Sequence, residues 1–310
     1  MNAQQVIADL RKQDIEILTE QRLTKIIEEN PKPTTYIGFE PSGPFHIGHF
    51  ASTIPVVRLA KAGFHAIILL ADLHAFANDK GELKDIHETA RQEKEMLERL
   101  VKRMGAGGKL DYRLGTEFED QAYFIQVLRL SKVVNFTEAA KSMDEISRAS
   151  VAKMTSSAIY PLMQVVDIGV LGVNVAVGAT QQRKVHVLAI ENLKKLGYQT
   201  PVALHTRVLL GTDGKDAMSK TRQNTVDLNE TQHSLENKIR KTFCAPGDVE
   251  TNPILNWYKG LIFPLAESPL EFGKKQAASY AELQTIWSKN EISPQELKAA
   301  VLRDLSNLLI

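Results

Sequence analysis

The sequence predicts an α/β protein: a doubly wound parallel sheet with a helical insertion, followed by a small all-helical C-terminal domain. Three observations predict it. Strand-like and helix-like segments alternate along the first two hundred residues, the order expected of βαβ units. The strands are continuous apolar runs such as Ala66-Ile67-Ile68-Leu69-Leu70-Ala71, as required of strands covered on both faces. Beyond residue 226 strand signals cease and only helical patterns remain.

Residues 1–31 read as helical, with Thr19 able to cap a helix through Glu29 and Pro31 beyond its end. Thr34-Thr35-Tyr36-Ile37-Gly38-Phe39 reads as a buried strand, and Pro41-Ser42-Gly43-Pro44 as a turn. A helix follows over about 47–62, stopped by Gly63. The apolar run at 66–71 is a central strand, 83–104 a charged amphipathic helix and 110–114 a short strand. Residues 118–150 read as helical and interrupt the alternation. Helix 157–171, strand 173–177, helix 180–196 and strand 202–204 resume it. Residues 211–226 read as an exposed loop. Helices near 230–243, 252–263, 279–288 and 294–309 complete the chain. The expected division is therefore 1–212 with an insertion at about 116–150, a loop at 213–228, and a helical domain at 229–310.

The 310 residues are 43% apolar and 24% charged, the composition of a globular protein. One cysteine, Cys244, excludes an internal disulfide and a cysteine-rich metal site. The first twenty-one residues mix acids and bases, and no stretch approaches the ~20 apolar residues that span a bilayer. A cytoplasmic protein without a membrane partner is expected. With a net charge of +1, any nucleic-acid partner must be met by local basic patches.

The first chemical motif follows the first strand: Gly38-Phe39-Glu40-Pro41-Ser42-Gly43-Pro44-Phe45-His46-Ile47-Gly48-His49. A strand, a tight turn and a helix start aim backbone N–H groups and the helix dipole at one point, which suits phosphate. His46 and His49 share a helix face and can donate to phosphate oxygens. Gly48, between them, lets a flat base approach the backbone. The plain alternative is a surface helix carrying two histidines. A second signal is a polar stripe: Tyr160, Gln164 and Asp167 fall at i, i+4 and i+7 on an apolar helix. Such a stripe suggests a wet pocket, unless Asp167 merely pairs within the fold. His74 follows the central strand at its C-terminal end, where sites open in doubly wound folds.

His46-Ile47-Gly48-His49 is the HIGH signature of class I aminoacyl-tRNA synthetases, and the stretch from Tyr36 to His49 resembles tyrosyl-tRNA synthetases of the archaeal and eukaryotic type. The resemblance extends through 66–78, 160–186 and the C-terminal helices. It implies a Rossmann catalytic domain, an insertion used for homodimer contacts and a helical anticodon-binding domain. It implies ATP and Mg²⁺, tyrosine and tRNA(Tyr) as substrates. Gly214-Lys215-Asp216-Ala217-Met218-Ser219-Lys220-Thr221 is similar to the KMSKS loop that closes over ATP. A mobile lysine there, matched by Lys220, neutralises charge on departing pyrophosphate. Ala217 replaces the first lysine of the pattern, with Lys215 nearby.

By the same resemblance Tyr36 and Asp167 bind the phenolic hydroxyl, and Tyr160, Gln164 and Gln182 hold the ammonium and carboxylate end. Gly38, Glu40, Ser42, Gly48, Gln181, Met218 and Ser219 join the histidines and Lys220 around ATP. Gln181 replaces an acid that would pair with ribose. Glu119 stands where archaeal relatives often carry an amide, near the aromatic ring, so a tyrosine analogue with an extra donor is an alternative substrate. Arg183 and Lys184 match a basic pair at the tRNA acceptor end. Pro294 and Glu296 match the segment that reads the anticodon, where Glu296 can accept from a guanine edge and Phe272 can stack on a base. Ser293-Pro294-Gln295-Glu296 is equally a helix start. No resident metal is expected. A synthetase-like paralogue with another acceptor, a tryptophan-specific enzyme and a non-catalytic RNA-binding protein are the other readings.

Overall fold

The computed structural model describes residues 2–143, 154–219 and 222–310. Two compact units emerge: Met1–Leu10 with Ile15–Gly43 and Ser52–Thr206, and Arg11–Asp14 with Pro44–Ala51 and Arg207–Ile310.

In chain order the first unit contains α1 (Ala3–Leu10), β1 (Ile15–Leu18), α2 (Glu20–Glu29), β2 (Thr34–Phe39) and α3 (Ile47–Lys61), whose first turn groups with the second unit. Then come β3 (His65–Leu70), α4 (Asp72–Ala77), α5 (Leu83–Arg103), β4 (Leu110–Leu114), α6 (Gln121–Ser131), α7 (Phe136–Ser142), α8 (Ser156–Val170), β5 (Val175–Ala179), α9 (Arg183–Asn192) and β6 (Val202–Thr206). The six strands lie in the order β1-β6-β5-β2-β3-β4. All neighbours are parallel except β1, which pairs antiparallel with β6. From β2 the chain winds one way through β3 and β4 and later the other way through β5 and β6. The switch therefore falls between β2 and β5, and the crevice for a ligand opens at their C-terminal ends.

The alternation of side chains along a strand sets what faces that crevice. Tyr36, Ile67, Leu69 and Ala176 project to one face, where Tyr123 and Val127 of α6, Leu162, Val165 and Val166 of α8, and Leu188 of α9 bury them. Burying each large apolar side chain contributes about 1.5–3 kcal/mol.

Four expectations are corrected. Residues 1–31 are not one helix: Ile15-Glu16-Ile17-Leu18 forms the edge strand β1, held by its pairing with β6, far along the chain. Thr19 sits at the start of α2, but its side chain makes no capping bond. The fifth strand lies two residues later than expected, and the sixth continues through His205 and Thr206, whose polar side chains are paired with Glu16 (2.8 Å) and Ser52 (3.0 Å). Within 118–150, α6 and α7 are helical as expected, and 144–150 lie outside the described residues.

The second unit contains α10 (Gln232–Lys241), α11 (Pro253–Trp257), a π-helical turn Tyr258–Ile262, α12 (Phe263–Leu265), β7 (Leu270–Phe272), β8 (Lys275–Ala277), α13 (Tyr280–Ser288) and α14 (Pro294–Leu309). The unit is not all-helical: β7 and β8 form an antiparallel hairpin. Three-residue strands are too short to show a period of two in the sequence. Trp257, Trp287 and Tyr258 are buried with their polar tips satisfied, by Leu210 O, Asp248 O and Asp304 Oδ2, each at 2.7 Å. The division falls at Thr206 rather than at 212. The following segment is tied into the second unit through Leu210 N–H, which donates to Asn256 Oδ1 at 2.9 Å.

Candidate active site

In the first unit the polar face of α8 is buried. Tyr160, Gln164 and Asp167 are all within a few per cent of full burial, and Tyr36 on β2 joins them. Tyr36 lies near Gln164, and Tyr160 near Glu40. Glu40 is fixed in turn by Asn78 Nδ2 (3.0 and 3.1 Å) and Lys80 Nζ (3.3 Å). Tyr123, which the sequence reading missed, places its hydroxyl 2.7 Å from Asp167 Oδ1 and 2.8 Å from Met163 O. Asp120 caps α6 by accepting from Tyr123 N–H, which fixes the tyrosine on the first turn, but nothing along the sequence shows that its hydroxyl reaches α8. Burial, then the Asp167 carboxylate, pushes the Tyr36 hydroxyl far above its ordinary range, so it stays a neutral donor.

His74 of α4, Glu119 and Asp167 converge. His74 Nε2 lies 3.4 Å from Asp167 Oδ2 and Nδ1 lies 3.8 Å from Glu119 Oε1, and neither nitrogen has a hydrogen-bond partner. Both Glu119 oxygens are likewise buried without one. Burial lowers His74 to about 4 against the opposing pull of Asp72, so the ring is neutral at neutral pH. Burial first, then Asp167 and Asp72, raises Glu119 well above the carboxylate range. Burial also raises Asp167, against the Tyr123 hydrogen bond. Asp72 itself is held by Thr116 Oγ1 (2.6 Å), Thr116 N–H (3.1 Å) and His87 (2.8 Å). Gly115 leaves the room: a Cβ there would lie 2.3 Å from Glu119 Oε1 and 2.7 Å from Asp72 Oδ1. Among the described residues, His74, Glu119 and Asp167 also have ligand atoms within 4.8 Å of one another, a spacing open to a metal ion.

These raised carboxyls couple folding to pH. Above the ordinary carboxylate pKa of about 4, the folded state keeps protons that the unfolded chain releases. Their stabilisation is complete below that pH and is lost as pH rises through the folded values. Glu119→Gln removes one such group. In thermal melts the variant's Tm, relative to the parent, should rise steadily from about pH 5 to about pH 9, by about 2–4 °C per kcal/mol. A difference independent of pH would mean that Glu119 is ionised throughout.

The second unit holds both nucleotide motifs. Ile47 N–H donates to Val226 O (2.9 Å) and Leu228 N–H to Phe45 O (2.7 Å), and a bridge joins His46 to Asp227. The helix-start turn is thus tied to the end of the loop that follows Ser219. The His46 and His49 rings lie 3.9 Å apart at their centroids, and Gly48 N–H meets His46 Nδ1 at 3.1 Å. A Cβ on Gly48 would sit 2.9 Å from the His46 ring, so the glycine makes room for that ring. Asn224, also missed, organises the loop. It accepts from Ser219 N–H at 2.8 Å and donates to Asp213 at 3.1 Å. Met218 is buried and its N–H donates to Leu209 O at 2.9 Å, whereas Lys215 is exposed. Lys220 lies outside the described residues.

Other expected residues divide. Ser42 N–H donates to the buried Glu93 at 3.3 Å, and Gly38 lies within β2. Gln181 is exposed, and Gln182 folds back to accept from Ala179 N–H at 3.2 Å. Arg183 and Lys184 are exposed on the first turn of α9, with Arg183 bonded to Glu16 at 3.0 Å. Phe272 is fully buried and packs edge-on against Tyr258 at 5.1 Å, so the expected stacking on a base is corrected: neither ring face is open. Glu296 accepts from Ser293 N–H and Oγ at 2.8 Å, and Ser293 Oγ accepts from Glu296 N–H at 3.2 Å, a capping box with Pro294 in the first turn. Ser293→Ala should therefore cost about 1 kcal/mol. Glu296→Gln should cost far less, because glutamine completes the same box. Urea midpoints of the two variants check this.

A parallel sheet that switches direction in one unit, and in the other a His-Ile-Gly-His turn bridged to the segment that ends a Met-Ser-containing loop, are the features of a class I aminoacyl-tRNA synthetase. The chain belongs to the family described as tRNA synthetases class I (W and Y), whose sequence model matches residues 28–309. Within it, the chain is 40% identical over 302 residues to a protein named tyrosine–tRNA ligase from Archaeoglobus fulgidus, covering 95% of this chain and 92% of that one. The crystal structure of the tyrosyl-tRNA synthetase of Archaeoglobus fulgidus, complexed with L-tyrosine, superposes with a TM-score of 0.91 at 38% identity, covering 98% and 97% of the two chains. A tryptophanyl-tRNA synthetase from Aeropyrum pernix shares the fold, with a TM-score of 0.76 at 18% identity, covering 100% of this chain and 88% of that one. No helix among the described residues is long and apolar enough to cross a membrane.

Proposed function

We propose that this chain activates tyrosine with ATP to tyrosyl-adenylate and transfers the tyrosyl group to tRNA(Tyr). The observation that carries the reading is the buried set Tyr36, Tyr160, Gln164 and Asp167, in a chain 40% identical to a tyrosine–tRNA ligase. Two donor–acceptor groups at its base, Tyr36 and the Asp167–Tyr123 pair, suit a phenol. Tyr160, Gln164 and the Gln182 amide suit the ammonium and carboxylate end, and Glu40, near Tyr160, supports an ammonium.

The first step is displacement at phosphorus. A tyrosine carboxylate oxygen forms a bond to the α-phosphorus of ATP, and the bond to pyrophosphate breaks. No side chain need act as nucleophile or base, so catalysis rests on position and charge. His46, His49 and Lys220 stabilise charge on the phosphates, and Mg²⁺ accompanies ATP. The family resemblance assigns Ser42, Gly48, Gln181 and Ser219 to nucleotide binding. In the second step the terminal ribose hydroxyl of tRNA attacks the adenylate carbonyl and AMP leaves. Arg183 and Lys184 meet the acceptor end, and Glu296 meets the anticodon. The working form is a homodimer in the cytoplasm.

Amino-acid-dependent ATP–pyrophosphate exchange, followed by tRNA charging, tests the reading. Exchange with tyrosine and stable tyrosyl-tRNA is the expected result. Exchange without charging would favour a synthetase-like enzyme with another acceptor, the reading motivated by Ala217 and Gln181. Exchange with tryptophan, or none, would overturn the proposal.

A further inference from the structure

The cluster around Glu119 has more polar capacity than a tyrosine ring can pair. Beside Asp167 lie four buried atoms without partners, His74 Nδ1 and Nε2 and Glu119 Oε1 and Oε2. A phenol brings one hydroxyl, with one proton and two lone pairs. Asp167 and Tyr36 engage that group in the reading above, and Asp167 Oδ1 is already met by Tyr123. Nothing on plain tyrosine then reaches Glu119, whose side chain is fully buried, or the Nδ1 side of His74. Buried polar groups are rarely left unpaired in a working complex, because each loses its water without gaining a partner.

We propose that the amino acid this site is built for is a tyrosine whose ring carries a second hydrogen-bonding group, hydroxyl or amino, on the carbon next to the phenolic one. The inference rests on the reading of the pocket given above and names its substrate class. The geometry fits. Adjacent ring carbons hold two such groups about one hydrogen-bond length apart. The receiving atoms of Asp167, His74 and Glu119 all lie within 4.8 Å of one another. The phenolic oxygen meets Asp167 and Tyr36 while its neighbour donates to Glu119 or His74. The protonation states agree: burial and the carboxylates of Asp167 and Asp72 keep Glu119 neutral, so it offers both an acceptor oxygen and an O–H. His74 is neutral as well and offers one donor and one acceptor. Asp72 is occupied by Thr116 and His87, so it cannot relieve Glu119.

Calorimetric binding and pyrophosphate exchange, run on the same purified chain with tyrosine, 3-hydroxytyrosine, 3-aminotyrosine and 3-methyltyrosine, decide the matter. The expected result is at least tenfold tighter binding and tenfold higher kcat/KM for the hydroxy or amino compound than for tyrosine. The methyl compound, similar in size and without a donor, should show no gain. Glu119→Gln should reduce the analogue-to-tyrosine ratio at least tenfold. Equal or weaker binding of both donor compounds would overturn the inference, with water as the partner of Glu119, while exchange with tyrosine would leave the synthetase reading intact. A gain shared by 3-methyltyrosine would also overturn it, since size alone would then explain the preference. Failure of every compound to bind would overturn both readings.

Discussion

Asp167→Ala lowers the preference for tyrosine over phenylalanine in pyrophosphate exchange by at least about tenfold. Asp167 is 1% exposed and lies in the middle of α8 among Val165, Val166 and Ile168, where a carboxyl without a partner is costly. In the parent protein phenylalanine leaves both Asp167 and Tyr36 without the phenol, at about 1–3 kcal/mol for each group. Together these amount to a discrimination of roughly one and a half to four orders of magnitude at 1.4 kcal/mol per tenfold. Alanine removes one partner and opens apolar space that suits a bare ring. Because Tyr123 retains Met163 O at 2.8 Å, its hydroxyl is not orphaned by the change, and the helix pair stays satisfied. The measurement is the ratio of kcat/KM for the two amino acids, with urea denaturation to establish folding. An unchanged ratio would mean that the amino-acid ring binds elsewhere.

Lys220→Ala lowers tyrosine activation at least ~100-fold, the scale for removing one charge contact made mainly in the transition state. The loss should fall on kcat rather than on KM for ATP, because the lysine acts on charge that develops as pyrophosphate departs. Only one lysine of the paired motif is in register, since Ala217 holds the other place. Lys215→Ala then reports whether the exposed neighbour has taken over: a second loss of similar size would assign it that role. A near-normal rate for Lys220→Ala would remove the loop from the mechanism.

The segments that the sequence placed well are those whose periodicity is long or whose punctuation is strong. The run at Ile67-Ile68-Leu69 and the 21-residue amphipathic helix α5 are of this kind. β1 was not, because four residues of alternating pattern fit a helix turn equally well, and only pairing with β6 selects the strand. The hairpin β7–β8 was lost for the same reason, and with it the burial of Phe272. The i, i+4, i+7 spacing of Tyr160, Gln164 and Asp167 was visible without coordinates. That Tyr123, from a different helix, points its hydroxyl at Asp167 was not.

What the sequence by itself determined is local and chemical: a turn carrying two histidines after a strand, a polar stripe on an apolar helix, a loop with a lysine, and the alternation that dictates a parallel sheet. Each depends on spacing along one element, which residue order specifies directly. What the tertiary structure decided is which distant groups become neighbours and how they are charged. His74 follows β3, Glu119 precedes α6 and Asp167 lies within α8, and only the packing of α6 and α8 on one face of the sheet brings them within 4.8 Å. Their protonation follows from that packing, since burial and neighbouring carboxylates, not residue type, raise Glu119 and Asp167 above the ordinary carboxylate range.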